Sequence, residues 1–326
     1  MKINLSHGSG GKASSELMQS IFGKHFSNPI LDKMEDAAVL DIQGKIAFST
    51  DSFVVTPVFF KGGDIGKLAV CGTVNDLLMM GAQPLYMTAA FILEEGLDID
   101  DLERIVISMK NAAKEAGIQI VAGDTKVIEG KGGLFINTSG IGLIPENRNV
   151  SSANCKPSDV LILSGNLGDH HASILSHRMQ IENGIESDCA PLNTIINVLF
   201  DGGVQVKTMR DVTRGGLGTI LNELAEMSGC GIEIIEKDLP VKASVRGFCE
   251  ILGLDPLYMG NEGKMIAIVS EKDADRALAL IRETEYGRDA AIIGRAVSGH
   301  GVTLITPLGG KRTVDVLYGE GLPRIC

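Results

Sequence analysis

Tryptophan is absent from this chain and aromatic residues make up only 4% of it. The sequence therefore offers no aromatic cage and no platform for base stacking. Positive charge is also short. The chain carries 30 Lys and Arg against 41 Asp and Glu, a net charge of −11. That balance argues against nucleic acid and against an anionic membrane as partners. The longest uncharged run, Leu77 to Leu93, has 17 residues, and Gly81-Ala82-Gln83-Pro84 interrupts it. Its length is at the lower limit for a membrane span, and the break argues against one. No signal peptide is visible, because Met1-Lys2-Ile3-Asn4 leads straight into polar sequence, so a cytoplasmic location is expected. The 6 cysteines are Cys71, Cys155, Cys189, Cys230, Cys249 and Cys326, and none forms a Cys-x-x-Cys motif. Five of them read as ordinary reduced thiols. Cys326 differs, because it is the last residue.

A chain of 326 residues with 44% hydrophobic content can hold two domains with sizeable cores. The stretch from Ser49 to Pro84 organises the reading. A short β-type run ends at Asp51, a Gly62-Gly63-Asp64 turn follows, and a helix then carries Ile65, Leu68, Ala69, Val74, Leu77 and Leu78 at helical spacing. Asp64 can cap that helix, and Gly81 and Pro84 mark its end. Between Leu68 and Met80 the strongly polar side chains are Asn75 and Asp76 alone. An ionised Asp in an apolar helix is costly unless a cation or several donors meet it. Asp76 is therefore either aimed at a metal–phosphate centre or satisfied by backbone amides at a domain edge.

Other segments carry related signals. His7-Gly8-Ser9-Gly10-Gly11-Lys12 could wrap phosphates with its amides, or be a plain terminal loop. It is not a Walker A loop, since the glycine spacing is wrong and Ala13 follows Lys12. Asp36 precedes an expected strand, Ala37 to Leu40, and Asp124 lies just past the strand Ile118 to Val121. Asp36, Asp51, Asp76 and Asp124 thus sit at element ends or in apolar context. Four such carboxylates with no His or Cys among them favour Mg²⁺, shared with substrate phosphates. A polar, irregular segment from Pro145 to Pro157 marks a domain boundary. In the second half, amides at the helix start after Asp211, together with Arg214, could receive an anion. Glu262, in Asn261-Glu262-Gly263-Lys264, could serve as a general base or simply stand before a strand.

Taken together, Glu35-Asp36-Ala37-Ala38-Val39, Ser49-Thr50-Asp51-Ser52, Gly72-Thr73-Val74-Asn75-Asp76, Gly123-Asp124-Thr125-Lys126 and Asp211-Val212-Thr213-Arg214-Gly215-Gly216 resemble the aminoimidazole ribonucleotide synthetase superfamily. Selenophosphate synthetase and thiamine-phosphate kinase belong to it. Within it, His7-Gly8-Ser9-Gly10-Gly11 and the ending Pro323-Arg324-Ile325-Cys326 resemble the HypE family of hydrogenase maturation factors. Glu35 departs from the pattern, where many superfamily members carry a second Asp.

The resemblance implies a two-domain α/β (α+β) fold. Residues 1–150 would bind ATP and Mg²⁺ and pair with a second copy into a β-barrel. Residues 151–314 would form a second α/β domain, and 315–326 a flexible tail. The resemblance also implies a homodimer and a reaction. The carbamoyltransferase HypF places a carbamoyl group on the terminal Cys, ATP drives its dehydration to a thiocyanate, and the HypC–HypD complex receives the cyano group for the nickel–iron centre. Cys326 would carry the substrate, with Lys126 and Glu262 positioning it and moving its protons. His7, Gly10, Gly11, Asn75, Asp211 and Arg214 would meet the nucleotide, and Asp36, Asp51, Asp76 and Asp124 the metal. Two alternatives remain. One is a selenophosphate synthetase-like enzyme, which would usually show a reactive Cys in the N-terminal loop. The other is a non-catalytic carrier, which has no use for an acidic ATP–Mg²⁺ site.

Overall fold

The structure, a computed structural model, describes residues 2–8, 12–33 and 37–317. The first half opens with helix α1 (Lys12–Leu17), a π-helical stretch Met18–Gly23 and helix α2 (Lys24–Phe26). Strand β1 (Lys45–Phe53) follows, then a small ribbon of β2 (Phe59–Phe60) and β3 (Gly63–Asp64). Helix α3 (Ile65–Met79) is capped by Asp64, whose carboxylate accepts from the amides of Gly66 and Lys67 at 2.7 and 3.0 Å. Strand β4 (Gln83–Glu94), helix α4 (Ile99–Ala116), strand β5 (Gln119–Ile128) and strand β6 (Leu134–Ile144) complete this half. Gly117 ends α4 in the left-handed region, at φ 72°.

These strands form a four-stranded sheet in the order β1-β6-β4-β5, with only the β4–β5 pair parallel. One face is covered. Ala89, Phe91, Leu93 and Ile136 are buried in the core that also holds α3 and α4, and the Thr138 hydroxyl meets that of Thr73 on α3 at 2.6 Å. The other face is open and carries Ile46, Phe48 and Ile92, with Phe48 at 66% exposure.

Two expectations about strands are corrected. Ala37 to Leu40 is not a strand: Val39 is 82% exposed, and the run pairs with no strand of the sheet β1-β6-β4-β5. The strands holding Asp51 and Asp124 do not stop there. β1 runs on to Phe53 and β5 to Ile128, because pairing with β6 and β4 continues past both aspartates.

The second half contains β7 (Val160–Leu163), α5 (Asp169–Arg178), α6 (Asn193–Asp201), β8 (Val206–Asp211), α7 (Gly216–Ser228), β9 (Gly231–Ile235), α8 (Ala243–Leu252), β10 (Met265–Val269), α9 (Ala274–Arg282), β11 (Ala291–Val297), β12 (Val302–Ile305) and β13 (Lys311–Thr313). Its sheet runs β13-β12-β9-β11-β7-β10-β8. The runs Val160–Leu163 and Met265–Val269 are apolar without alternation because both faces of the sheet are buried. Ile162, Met265 and Ala267 join the core of the first half. Leu161, Leu163, Ile266 and Ile268 pack in a second core with Leu217, Leu221 and Leu224 of α7. The shared core presses α3 against the second half, and the candidate site lies along that seam.

Candidate active site

Asn75 and Asp76 are successive residues on α3, so their side chains leave the axis about 100° apart. Asp76 turns toward β1 and the end of β8, where Ser49 donates to its carboxylate at 2.6 Å. A groove of about 430 Å³ runs past it, lined among others by Ser49, Asp76, Arg210 and Asp211. Asp51 stands close by on β1. A Cβ at Gly72 would lie 3.7 Å from its carboxylate and 2.8 Å from the Phe53 ring, so the lack of a side chain at Gly72 is what lets β1 approach α3.

Three carboxylates therefore share this corner, and each is held above its ordinary range. Burial lifts Asp51 to about 6, and repulsion from Asp76 adds to it, while Arg214 opposes. Burial lifts Asp211 to about 7, with Asp76 and Asp51 adding and Arg210 opposing. Burial also raises Asp76, against the hydrogen bond from Ser49 and the charge of Arg210. Neighbouring half-buried carboxylates that repel one another are destabilising alone and suit a hard cation they can share. Mg²⁺ fits this oxygen-only donor set, although among the described residues no three His, Cys, Asp or Glu side chains are arranged to enclose a metal.

The expected quartet is divided. Asp51 pairs with Thr138, on the covered side of the sheet. Asp124 pairs with Ala90, which pairs with Asn137. That row lies on the open side. Asp124 is exposed there, and the Lys126 ammonium at 2.7 Å holds its carboxyl below the usual range. Within one chain, Asp124 and Lys126 are thus separated by the sheet from Asp51 and Asp76. Asp36, Gly10, Gly11 and Cys326 lie outside the described residues. His7 is buried in the N-terminal turn, where its Nδ1 accepts from the Asn4 amide at 3.0 Å. Arg214 is at the exposed turn before α7.

Glu262 approaches the seam from the second half. It is 4% exposed, and burial, with the nearby Cys189, Asp188, Asp211 and Asp51, raises its carboxyl well above the ordinary value. Asn261 anchors its loop, accepting from the Gly168 amide at 2.8 Å and donating to the Val212 and Met259 carbonyls, each at 3.2 Å. The Asn75 side chain, expected to meet the nucleotide, reaches across the seam to the second half. Its Nδ2 donates to the Ala190 and Glu262 carbonyls at 3.1 and 3.4 Å, and its Oδ1 accepts from the Leu192 amide at 2.9 Å. Both donors are occupied inside the protein. Asp188 was not singled out from sequence, since Ser187-Asp188-Cys189 lies in a loop with no motif. Its carboxylate accepts from the amides of Glu262 and Gly263, each at 3.2 Å, and pairs with Lys264 at 3.4 Å.

Models of AIR synthase related proteins match the chain in two parts, the N-terminal domain over residues 34–144 and the C-terminal domain over 156–306. The carbamoyl dehydratase HypE of Rhodobacter capsulatus is 48% identical over 335 residues, covering 100% of this chain and 98% of that protein. The chain belongs to the HypE family. A crystal structure of the hydrogenase maturation protein HypE in complex with ATP superposes with a TM-score of 0.95 at 48% identity, covering 99% of each chain. HypE in its complex with HypF gives 0.82 at 49% identity, over 94% of this chain and 100% of that one. The seam between α3, β8 and the Asn261–Lys264 loop therefore belongs to a fold that HypE proteins share along nearly their whole length.

Proposed function

We propose that this chain is an ATP-dependent carbamoyl dehydratase that converts the S-carboxamide on Cys326 to a thiocyanate, which supplies a cyanide ligand for nickel–iron hydrogenase. The observation that carries the reading is the near-complete correspondence with HypE in complex with ATP, at 48% identity. The raised carboxylates on α3, β1 and β8 add a physical reason. A cation shared between phosphate oxygens and the carboxylates of Asp51 and Asp76, with Asp211 beside them, would offset phosphate charge. Asp124 and Lys126, and Asp36, would complete the centre from the paired chain of a homodimer. We assign residues 1–150, 151–314 and 315–326 to the ATP-binding domain, the second domain and the tail.

The carbamoyl group reaches the Cys326 sulphur from HypF, the partner seen with the related HypE. The carboxamide oxygen then attacks the γ-phosphoryl group, ADP leaves, and one nitrogen proton is lost. Removal of the second nitrogen proton expels phosphate and leaves S–C≡N. Glu262 suits the role of base, because a buried carboxylate with a raised proton affinity takes up a proton more readily than an exposed one. The Val314 and Asp315 carbonyls are pinned by Asn222 and Tyr258, at 2.8 and 2.7 Å. The chain beyond them can therefore span at most ~35–40 Å to deliver Cys326. HypC–HypD would accept the cyano group.

Mass spectrometry of the C-terminal peptide tests this reading. Incubation with the carbamoyl-transferring partner should add a carbamoyl mass to Cys326, and ATP with Mg²⁺ should then remove one water. A Cys326→Ala protein should gain neither. An adduct on another cysteine, or cyano product from Cys326→Ala, would overturn the reading.

A further inference from the structure

Glu262 carries its side chain on a loop, and a loop carboxylate needs a rigid mount if it is to take a proton from a group delivered on a tether. The mount here comes from two sides. On one side the Asp188 carboxylate accepts the backbone amides of Glu262 and Gly263. The close approach there needs Gly263, since a Cβ at that position would lie 1.9 Å from the Asp188 carbonyl. On the other side the Glu262 carbonyl accepts from Asn75 and, at 3.5 Å, from the Ala190 amide. Asn75 also holds the Ala190 carbonyl and the Leu192 amide, so one side chain from α3 grips both the Glu262 loop and the segment packed beside it. Asn75 is 2% exposed, and the Asp188 side chain 2%.

We propose that Asn75 and Asp188 are positioning residues for Glu262, and that Asn75 touches no part of the nucleotide. Asn75 sits beside Asp76 in sequence, so it ties the placement of Glu262 to the helix that carries a phosphate-facing carboxylate. Rotation of α3 would move both groups together. This rests on the reading of Glu262 as the base.

The test is a single-turnover measurement on the full-length protein carbamoylated at Cys326, with ATP varied. Asn75→Ala should lower the rate of cyano formation at saturating ATP by about a hundredfold, while half-saturating ATP moves by less than about threefold. Asp188→Asn, which keeps the shape of its side chain, should show the same split, and it carries the test if Asn75→Ala does not fold. Glu262→Gln is measured beside them. If Glu262→Gln keeps its rate, the reading of Glu262 fails. If Glu262→Gln is inactive while the folded Asn75 and Asp188 variants keep the wild-type rate, the positioning role fails. A tenfold or greater rise in half-saturating ATP for Asn75→Ala, with the saturated rate intact, would make Asn75 a nucleotide ligand and overturn the proposal.

Discussion

Single side chains here are tuned chiefly by burial. His171, in the first turn of α5, accepts the Gly260 amide on Nδ1 at 3.3 Å, and its Nε2 has no partner among the described residues. Burial, with the neighbouring His170 and Arg178, pushes its ring down to about 4 from 6.5. Above pH 6.5 the ring is neutral in both states and costs nothing. As pH falls from 6.5 toward about 4, the unfolded chain takes a proton that the folded chain refuses, and stability drops by about 3 kcal/mol. Asp51 and Asp211 act in the opposite sense. Their raised values make the ionised forms destabilising, and that penalty is relieved as pH falls through about 7 and about 6. The comparison with His171→Gln removes these shared terms. The difference in Tm between wild type and His171→Gln should therefore change between pH 7 and 4, and parallel Tm–pH curves would rule the assignment out. None of this was legible in His170-His171 as letters, because the shift depends on enclosure by distant segments. Asp76 was legible, because an ionisable residue among apolar ones on a helix is conspicuous before any fold is known.

Elements obeyed local chemistry wherever that chemistry lay within a few residues. The Asp64 cap, the Gly117 stop and the apolar runs that became β7 and β10 all follow from local signals. Strand lengths did not, because a strand extends as far as its neighbours pair with it, and those neighbours are remote in sequence. Helix glycines show the same split. Gly66 lies where a Cβ would stand 2.5 Å from the Ile105 carbonyl of α4, whereas a Cβ at Gly247 of α8 would meet nothing within 4 Å. Ala is favoured over Gly in a helix by ~1 kcal/mol, but forcing atoms into a packed contact costs about 1–3 kcal/mol. Gly247→Ala should thus raise the midpoint of urea unfolding and Gly66→Ala should lower it, although helix propensity alone assigns both the same sign. A Gly66→Ala protein as stable as wild type would show that α3 and α4 can separate at little cost.

At the scale of the whole molecule, the sheet divides the expected metal ligands, with Asp51 on one face and Asp124 on the other. If two chains supply one centre, inactive Asp76→Asn and Asp124→Asn proteins mixed and re-equilibrated should recover about a quarter of wild-type turnover, from heterodimers with one intact site. No recovery, with heterodimers shown to form, would place Asp76 and Asp124 in one chain's site. The sequence by itself determined the class of fold, the acidic chemistry and the family. Those depend on local patterning, on residue type and on motifs short enough to survive as text. Tertiary structure alone decided which carboxylates meet, that the Asn75 amide bonds to backbone groups of the second half, and that Asp188 supports the Glu262 loop. Each of these depends on which face of a sheet or helix a side chain leaves from, and on segments remote along the chain, more than a hundred residues apart for the Asn75 contacts.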